Sequence, residues 1–270
     1  MITDSVLLLS PRVNETGLQL RTAAGRRGLR VHTAAGWRAP EELLGAAVHV
    51  YGGPLFGDAV GGAFGLALLE PPADWLTGLP PELTHRSVSL VTLAEARALR
   101  RPMFLKPPAD KLFAAKVYPD GTGLPGPDAL DDDTPVLASE VVRFRREYRL
   151  FVLDGEVRSA SRYAVDGDLD AAPLAEDGHR AEVAAFAADV LAASAAALPS
   201  AAVIDVGLVD SGPAGGGRWA VVEANAAWAS GGYACDPDAV LDVVLRSGGP
   251  AGVLAPGDGR FCRALPEVVG

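Results

Sequence analysis

The chain has 270 residues, enough for one large domain or two small ones with a sizeable core. Hydrophobic residues make up 49% and charged residues 21%, a globular composition that excludes a disordered chain. With 34 acidic against 24 basic residues the net charge is −10, which excludes a general nucleic-acid-binding surface; a site for a polyanion must gather its positive charge in one place.

The N-terminus carries no basic, apolar export signal. No apolar run reaches the ~20 residues of a membrane span. Cys235 and Cys262 fit no zinc spacing and read as two unpaired thiols, so the expectation is a soluble protein of the reducing cytoplasm. A first strand is predicted over residues 6–9. A helix over 14–27 follows and closes at Gly28, then strands over 29–32 and 47–51. Tyr51-Gly52-Gly53-Pro54 marks a turn, and an Ala/Gly-rich helix is predicted over 58–69. Strand, helix, strand, helix reads as a small parallel α/β unit.

Pro71-Pro72 and Pro80-Pro81 punctuate the next stretch. Thr92 with Glu95 three residues on is a capping-box pattern, opening a short helix over 92–99. Beyond it the chain turns strand-rich, with strands predicted over 103–106, 112–118 and 136–142. The Gly/Pro/Asp-dense segment 119–135 reads as a surface loop. Asp154-Gly155 between two alternating runs predicts a two-residue hairpin over 147–153 and 156–164. Val183, Phe186, Ala187, Val190 and Leu191 recur at helical spacing within 181–198. Strands over 202–209 and 218–225 flank a Gly-rich loop. Asp236-Pro237 opens the last helix as N-cap and first helical residue, running to Arg246. The tail after Ser247 reads as irregular. The fold class is α/β (α+β): a parallel unit over 1–90, then a region over 91–270 rich in antiparallel sheet.

Three constellations carry chemistry. Glu223 and Asn225 are two apart on a strand, so their side chains leave one face. Asp205 lies on the preceding strand, opposite or diagonal to Glu223 if the two pair. Oxygen ligands on one face suit Mg²⁺. Solvent-facing strand ends are the plainer reading, but the flanks AAVIDVGLV and WAVVEANAAW are apolar, and charges inside such runs need a partner. In the hairpin, counting outward from Asp154-Gly155 pairs Phe151 with Arg158, Arg149 with Ala160 and Glu147 with Arg162. Glu147, Arg149 and Arg162 then share one face, either as a phosphate and ribose clamp or as an exposed face with a surface ion pair. The third set is Lys106, Lys111 and Lys116. These are the only lysines in a chain that otherwise uses arginine. There is no Walker loop, Rossmann glycine fingerprint, G-x-S-x-G or H-E-x-x-H. The Gly215-Gly216-Gly217 run has no lysine beside it and reads as a hairpin loop.

Taken in order, Lys106, Ser139-Glu140-Val141-Val142, Glu147-Tyr148-Arg149, Arg162, Asp205 and Glu223-x-Asn225 resemble the ATP-grasp superfamily. The order is similar to that of ribosomal-protein glutamate ligases and D-alanine–D-alanine ligases. The run R-S-V…T-L-A-E-A-R…P-M-F-L-K-P…D-K-L-F-A-A-K-V-Y, over 86–118, resembles a compact ATP-grasp group. The resemblance covers about residues 85–245. It implies an ATP-grasp fold with a lysine and hinge part over about 100–145 and a metal part over about 146–250. It implies that Lys106 contacts ATP phosphates, with Lys116 or Lys111 compensating for the missing Gly-rich loop, that Glu140 and the Val142 backbone hold adenine, and that Glu147 binds ribose. Arg149 and Arg162 would act on the phosphates or acyl phosphate, and Asp205, Glu223 and Asn225 would bind Mg²⁺. The implied activity is ligation: ATP activates a small-molecule or peptide carboxylate, which an amine or thiol attacks. Catalysis there is mostly positioning and charge stabilisation, so no dedicated nucleophile is required.

Two departures from the pattern stand out. Pro107-Pro108-Ala109-Asp110-Lys111 replaces the usual Gly-rich loop, and Arg86 is the nearest counterpart of an upstream lysine. Tyr163, Trp228, Ser230 and Tyr233 either shape an acceptor pocket or pack. Two other functions stay open: a phosphotransferase on the same fold, betrayed by a stable phosphorylated product, and a non-catalytic nucleotide-binding module indifferent to Asp205→Asn.

Overall fold

The computed structural model describes residues 5–194, 196–210 and 217–266. The chain opens with β1 (Ser5–Leu9), α1 (Glu15–Arg26), β2 (Arg30–Thr33), β3 (Ala47–Tyr51) and α2 (Pro54–Phe64). The strands form a parallel sheet in the order β2-β1-β3, the α/β unit expected from the alternation. Asn14 starts α1 by accepting the Gly17 N–H at 2.7 Å, and the chain leaves the helix through Gly28 at φ +70°. The helix expected over 58–69 is displaced. Pro54 supplies its first helical position and left-handed Gly65 ends it, so β4 (Leu66–Leu68) follows as a strand.

Next come α3 (Pro81–Thr84), β5 (Val88–Thr92), α4 (Leu93–Arg97), β6 (Met103–Lys106), β7 (Lys116–Tyr118) and β8 (Pro135–Ser139). They build an antiparallel sheet in the order β5-β8-β6-β7. The Thr92/Glu95 capping box forms in both directions. Two predicted strands are shortened. Of the strand expected over 112–118, only Lys116–Tyr118 pairs with β6, from Leu105 back to Met103. β8 stops at Ser139 because its neighbour β5 starts opposite, at Val88.

The third part contains β9 (Phe144–Leu153), β10 (Glu156–Val165), β11 (Asp168–Pro173), α5 (Arg180–Ser194), β12 (Ala201–Asp210), β13 (Gly217–Asn225), α6 (Pro237–Ser247) and β14 (Gly248–Pro250). Five strands form an antiparallel sheet in the order β11-β10-β9-β12-β13. Asp154 and Gly155 turn the β9–β10 hairpin with φ of 52° and 79°, as the dipeptide predicts. The glycine-rich loop expected between Asp210 and Gly217 lies outside the described residues. β11 was not expected. The tail opens with a short strand that was not expected, β14, which pairs antiparallel with β4, and the rest of it is short turns and irregular backbone.

The hairpin register departs from simple counting. Phe151 pairs with Ser159, Arg149 with Ser161 and Tyr148 with Arg162, because Arg158 is an extra residue between two ladder pairs. The cause is Phe151, which is fully buried in the core shared with α6. Straight counting would set the Arg158 cation opposite it, and the bulge sets a serine there instead. Ser159 to Arg162 change face as a result, until a second extra residue at Tyr163 restores the alternation for Ala164 and Val165.

Tyr148, Leu150, Val152, Ile204, Val206 and Val221 pack one sheet face against Val183, Phe186 and Val190 of α5. The opposite face carries Phe151 and Val203 to α6 and on to Leu7, Leu20 and Tyr51 of the N-terminal unit. Trp228 is 0% exposed, packs beside Phe56 and Leu68, and donates its Nε1–H to the Leu69 carbonyl at 3.1 Å. It fits only because residue 57 is glycine, where an added Cβ would come within 2.7 Å of the indole. Trp228→Ala is expected to cost about 3–5 kcal/mol, read as a lowered midpoint in urea unfolding. Among the described residues no helix is long and apolar enough to cross a membrane.

Candidate functional site

The five-stranded sheet gathers the charged residues on the face opposite α5. Asp205 on β12 pairs directly with Glu223 on β13 and with Arg149 on β9. The predicted trio therefore sits as the spacing required, with Asn225 two residues on from Glu223. Asp205 is 1% exposed, and both its oxygens accept from Arg149, from Nε at 2.9 Å and Nη2 at 2.6 Å. The remaining Arg149 nitrogen donates to the Gly231 carbonyl at 3.2 Å. Glu223 accepts from the Asn225 amide at 2.8 Å and from the Lys106 ammonium. Lys106 comes from β6, so this ion pair joins the four-stranded and five-stranded sheets.

Glu147 joins the cluster through Tyr163, whose hydroxyl donates to its carboxylate at 2.8 Å. Tyr163 stacks on Tyr233, with centroids 5.0 Å apart and planes 13° from parallel. The Arg149 guanidinium lies 5.6 Å and 5.1 Å from these two rings. Tyr233 is held at φ 48°, in a turn that also donates the Gly232 N–H to Thr16 Oγ1 at 2.8 Å and accepts from Tyr51 at Ser230. Thr16 and Tyr51 are the N-terminal unit's contribution to this wall: the Tyr51-Gly52-Gly53 stretch was expected there from the sequence, and Thr16 was not. The only signal was the Ser-Gly-Gly-Tyr run after Asn225.

The other predicted residues lie elsewhere. Arg162 is a correction. The Arg158 bulge turns it to the Tyr148 face, where it binds Asp177 at 2.6 Å and Asp170 at 3.0 Å, away from Arg149 and Glu147. Lys116 is exposed on β7, its ammonium 4.9 Å from the Tyr118 ring centroid. Lys111 is exposed on the loop after β6. That loop is tethered at Asp110 by Arg263, which also clasps Asp58 and Glu70. Glu140 and Val142 lie on the connector 140–143 between the two sheets, where the Glu140 carboxylate accepts the Ser87 N–H at 2.8 Å.

Burial pushes the Asp205 carboxyl upward and Arg149 opposes it; the guanidinium itself is held firmly charged. Burial raises the Glu147 carboxyl, with help from Asp205 and Glu223. Burial also works against Glu223, but Lys106, Asn225 and Arg149 outweigh it and hold its pKa below the ordinary 4.5. The lowered Glu223 contributes stability that is full above 4.5 and lost as pH falls through its folded value, whereas the raised Glu147 costs stability as pH rises past 4.5. Glu223→Gln is therefore expected to flatten the acid limb of the melting-temperature profile, and Glu147→Gln to lift stability near neutrality. Melts from pH 3 to 8 check both.

Among the described residues no group of three or more His, Cys, Asp and Glu side chains is arranged to hold a metal alone. Asp205, Glu223 and the Asn225 carboxamide nonetheless form an all-oxygen set on one face. That chemistry fits Mg²⁺, which takes few protein carboxylates and completes its shell with phosphate and water.

Comparison with known proteins agrees with this geometry. A family model describing an ATP-grasp domain, family 2 of its clade, matches residues 83–243. A search of curated proteins finds no significant match. Among solved structures the chain is similar to D-alanine–D-alanine ligase from Bacillus anthracis, at TM-score 0.51 and 14% identity, over 90% of this chain and 96% of that one. It is also similar to N5-carboxyaminoimidazole synthase from Aspergillus clavatus, at TM-score 0.53 and 14% identity, over 97% of this chain and 81% of that one. At such identity these likenesses speak to the fold. The family match covers more than half of the chain and contains Lys106, Arg149, Asp205, Glu223 and Asn225, and by it the chain belongs to the ATP-grasp superfamily.

Proposed function

We propose that the chain is an ATP- and Mg²⁺-dependent ligase. It activates a carboxylate as an acyl phosphate for attack by an amine or thiol, with ADP and phosphate released. The observation that carries this reading is the Lys106–Glu223 pair joining the two sheets, with Asp205 directly opposite Glu223. One cation and two carboxylates at the junction of two sheets suit a metal–triphosphate group.

In this reading Lys106 leaves Glu223 for a phosphate oxygen and so frees Glu223, with Asn225 and Asp205, to hold the metal. Mg²⁺ supplies neutralisation of phosphate charge. Connector residues Glu140 and Val142 line the adenine end, and Glu147, oriented by Tyr163, reaches the ribose hydroxyls. Arg149, set against the stacked Tyr163 and Tyr233 rings, offers a fixed positive charge beside the transferring group. Lys116 is a second phosphate contact that requires the β6–β7 loop to close. Arg162 has no part in the chemistry. The N-terminal unit supplies the acceptor wall through Thr16 and Tyr51, and the nucleotide-binding unit begins ahead of Arg86 and β5 rather than at the expected residue 91, which falls inside that strand. The carboxylate and amine are small molecules or peptides, handled in the cytoplasm without nucleic acid or membrane.

Calorimetric titration with AMP-PNP and MgCl₂ tests the nucleotide half, and no heat at millimolar nucleotide would sink it. Hydroxylamine trapping tests the acyl phosphate. Incubation of enzyme, ATP and a panel of carboxylates should yield a hydroxamate with ADP. A stable phosphorylated product that hydroxylamine leaves intact would favour phosphotransfer instead.

A further inference from the structure

Strand β13 carries an inverted alternation. Trp219 and Val221 face α5: Val221 packs with Val206 and Tyr148, and the Trp219 ring lies 5.6 Å from that of Tyr148. Glu223 is two residues further on and would face the same apolar layer in a regular strand. It faces Asp205 and Lys106 instead. The register shows why. Val206 pairs with Val221 and Asp205 with Glu223, so Val222 is an extra residue and the strand bulges there. The metal end of the site exists because of this one inserted residue.

A bulge leaves backbone carbonyls without ladder partners, and something must satisfy them. Arg86, just ahead of β5, does so. Its Nη1 donates to Val221 O at 2.7 Å and to Thr84 O at 3.1 Å, and its Nη2 donates to Val222 O at 3.0 Å. Its Nε donates to Ser139 Oγ at 3.0 Å, at the end of β8. The guanidinium lies 5.4 Å from the Phe144 ring centroid at the start of β9. Among the described residues it has no carboxylate partner, and burial lowers its pKa to about 10, which leaves it charged at neutral pH. A planar fork meets two successive carbonyls and a third acceptor on a different sheet at once. An ammonium is a point donor and has no such geometry.

We propose that Arg86 is a positioning residue: it clamps the Val222 bulge to the end of β8 and thereby aims Glu223 at the metal–phosphate end of the site. The proposal rests on the nucleotide reading above. It differs from the expectation that Arg86 stands in for an upstream nucleotide-binding lysine. Arg86 acts on the metal end through Glu223, and its donors are already committed to protein acceptors.

The test compares wild type, Arg86→Lys, Ser139→Ala and Glu223→Gln. Three quantities are measured: AMP-PNP affinity in EDTA, Mn²⁺ affinity in saturating AMP-PNP by paramagnetic resonance, and deuterium uptake of the peptide covering 219–225. Arg86→Lys is expected to weaken Mn²⁺ at least tenfold, as Glu223→Gln does, with metal-free AMP-PNP affinity within twofold and faster uptake in β13. Ser139→Ala removes one acceptor from the fork and should shift Mn²⁺ two- to fivefold in the same direction, so the idea stays testable if Arg86→Lys does not fold. Equal loss of metal-free nucleotide affinity would make Arg86 a nucleotide contact and overturn the proposal. So would wild-type Mn²⁺ affinity in the folded variants. If wild type itself binds neither probe, the nucleotide reading fails, and deuterium uptake in β13 still reports on the clamp.

Discussion

Asp205→Leu is expected to destabilise the protein by about 3–5 kcal/mol, because it strands the Arg149 guanidinium in the interior. Arg149 and Asp205 form the most buried ion pair among the described residues, with side chains 10% and 1% exposed. Two parallel hydrogen bonds hold them, and the two tyrosine rings keep water off the guanidinium. For a chain of this size the melting temperature should fall by roughly 6–20 °C. Arg149→Met should cost a similar amount for the mirror-image reason. The double variant should recover much of the loss, since a well-packed apolar pair replaces a buried ionic one at little cost. A double-mutant cycle in urea measures the coupling. Additive losses would mean that each residue is held by its other contacts and that the pair is incidental.

Lys106→Met should move two affinities in opposite directions. In the apo protein Lys106 and Arg149 already neutralise the carboxylates a metal would use, so Mn²⁺ alone should bind wild type poorly and bind well only with nucleotide present. Removing the ammonium uncovers Glu223, and free Mn²⁺ should then bind more tightly. AMP-PNP should bind more weakly, because a phosphate contact is gone. A charge-assisted hydrogen bond contributes about 1.5–3 kcal/mol, so each shift should be roughly 10- to 150-fold. Calorimetry with each ligand alone reads both. A fall in both affinities would place Lys106 in scaffolding rather than in exchange between carboxylate and phosphate.

The contrast between Asn225 and Arg162 marks what the sequence makes legible. Asp205, Glu223 and Asn225 were expected together from a two-residue period and one pairing of consecutive strands, and that pairing is direct only because of the Val222 bulge. The Thr92 capping box and the Asp154-Gly155 turn were legible for the same reason: each is complete within a few residues. Arg162 was misplaced by an insertion at Arg158 that exists to keep a cation from facing Phe151, and Phe151 is core only because α6 packs on it. The Val222 bulge is equally silent in its own strand. Its carbonyls are satisfied by Arg86, which lies 135 and 136 positions away along the chain. The end of β8 depends on where β5 begins, and β4 is a strand only because β14 returns to it. Local chemistry was readable, while features set by distant acceptors and distant strands were not.

The pairing of β4 with β14 has a consequence during synthesis. Leu66–Leu68 emerges from the ribosome early, as three buried apolar residues on a strand whose partner does not yet exist. At ~5–20 residues per second, roughly 10–40 s pass before Gly248–Pro250 follows. Over that interval β4 has no strand to pair with and Leu68 lacks the Trp228 side of its packing, the condition that favours capture by a chaperone or by another nascent chain. The match to the family model stops at residue 243, before β14 begins. A fragment cut at that boundary would carry the site residues and remain permanently in this unfinished state.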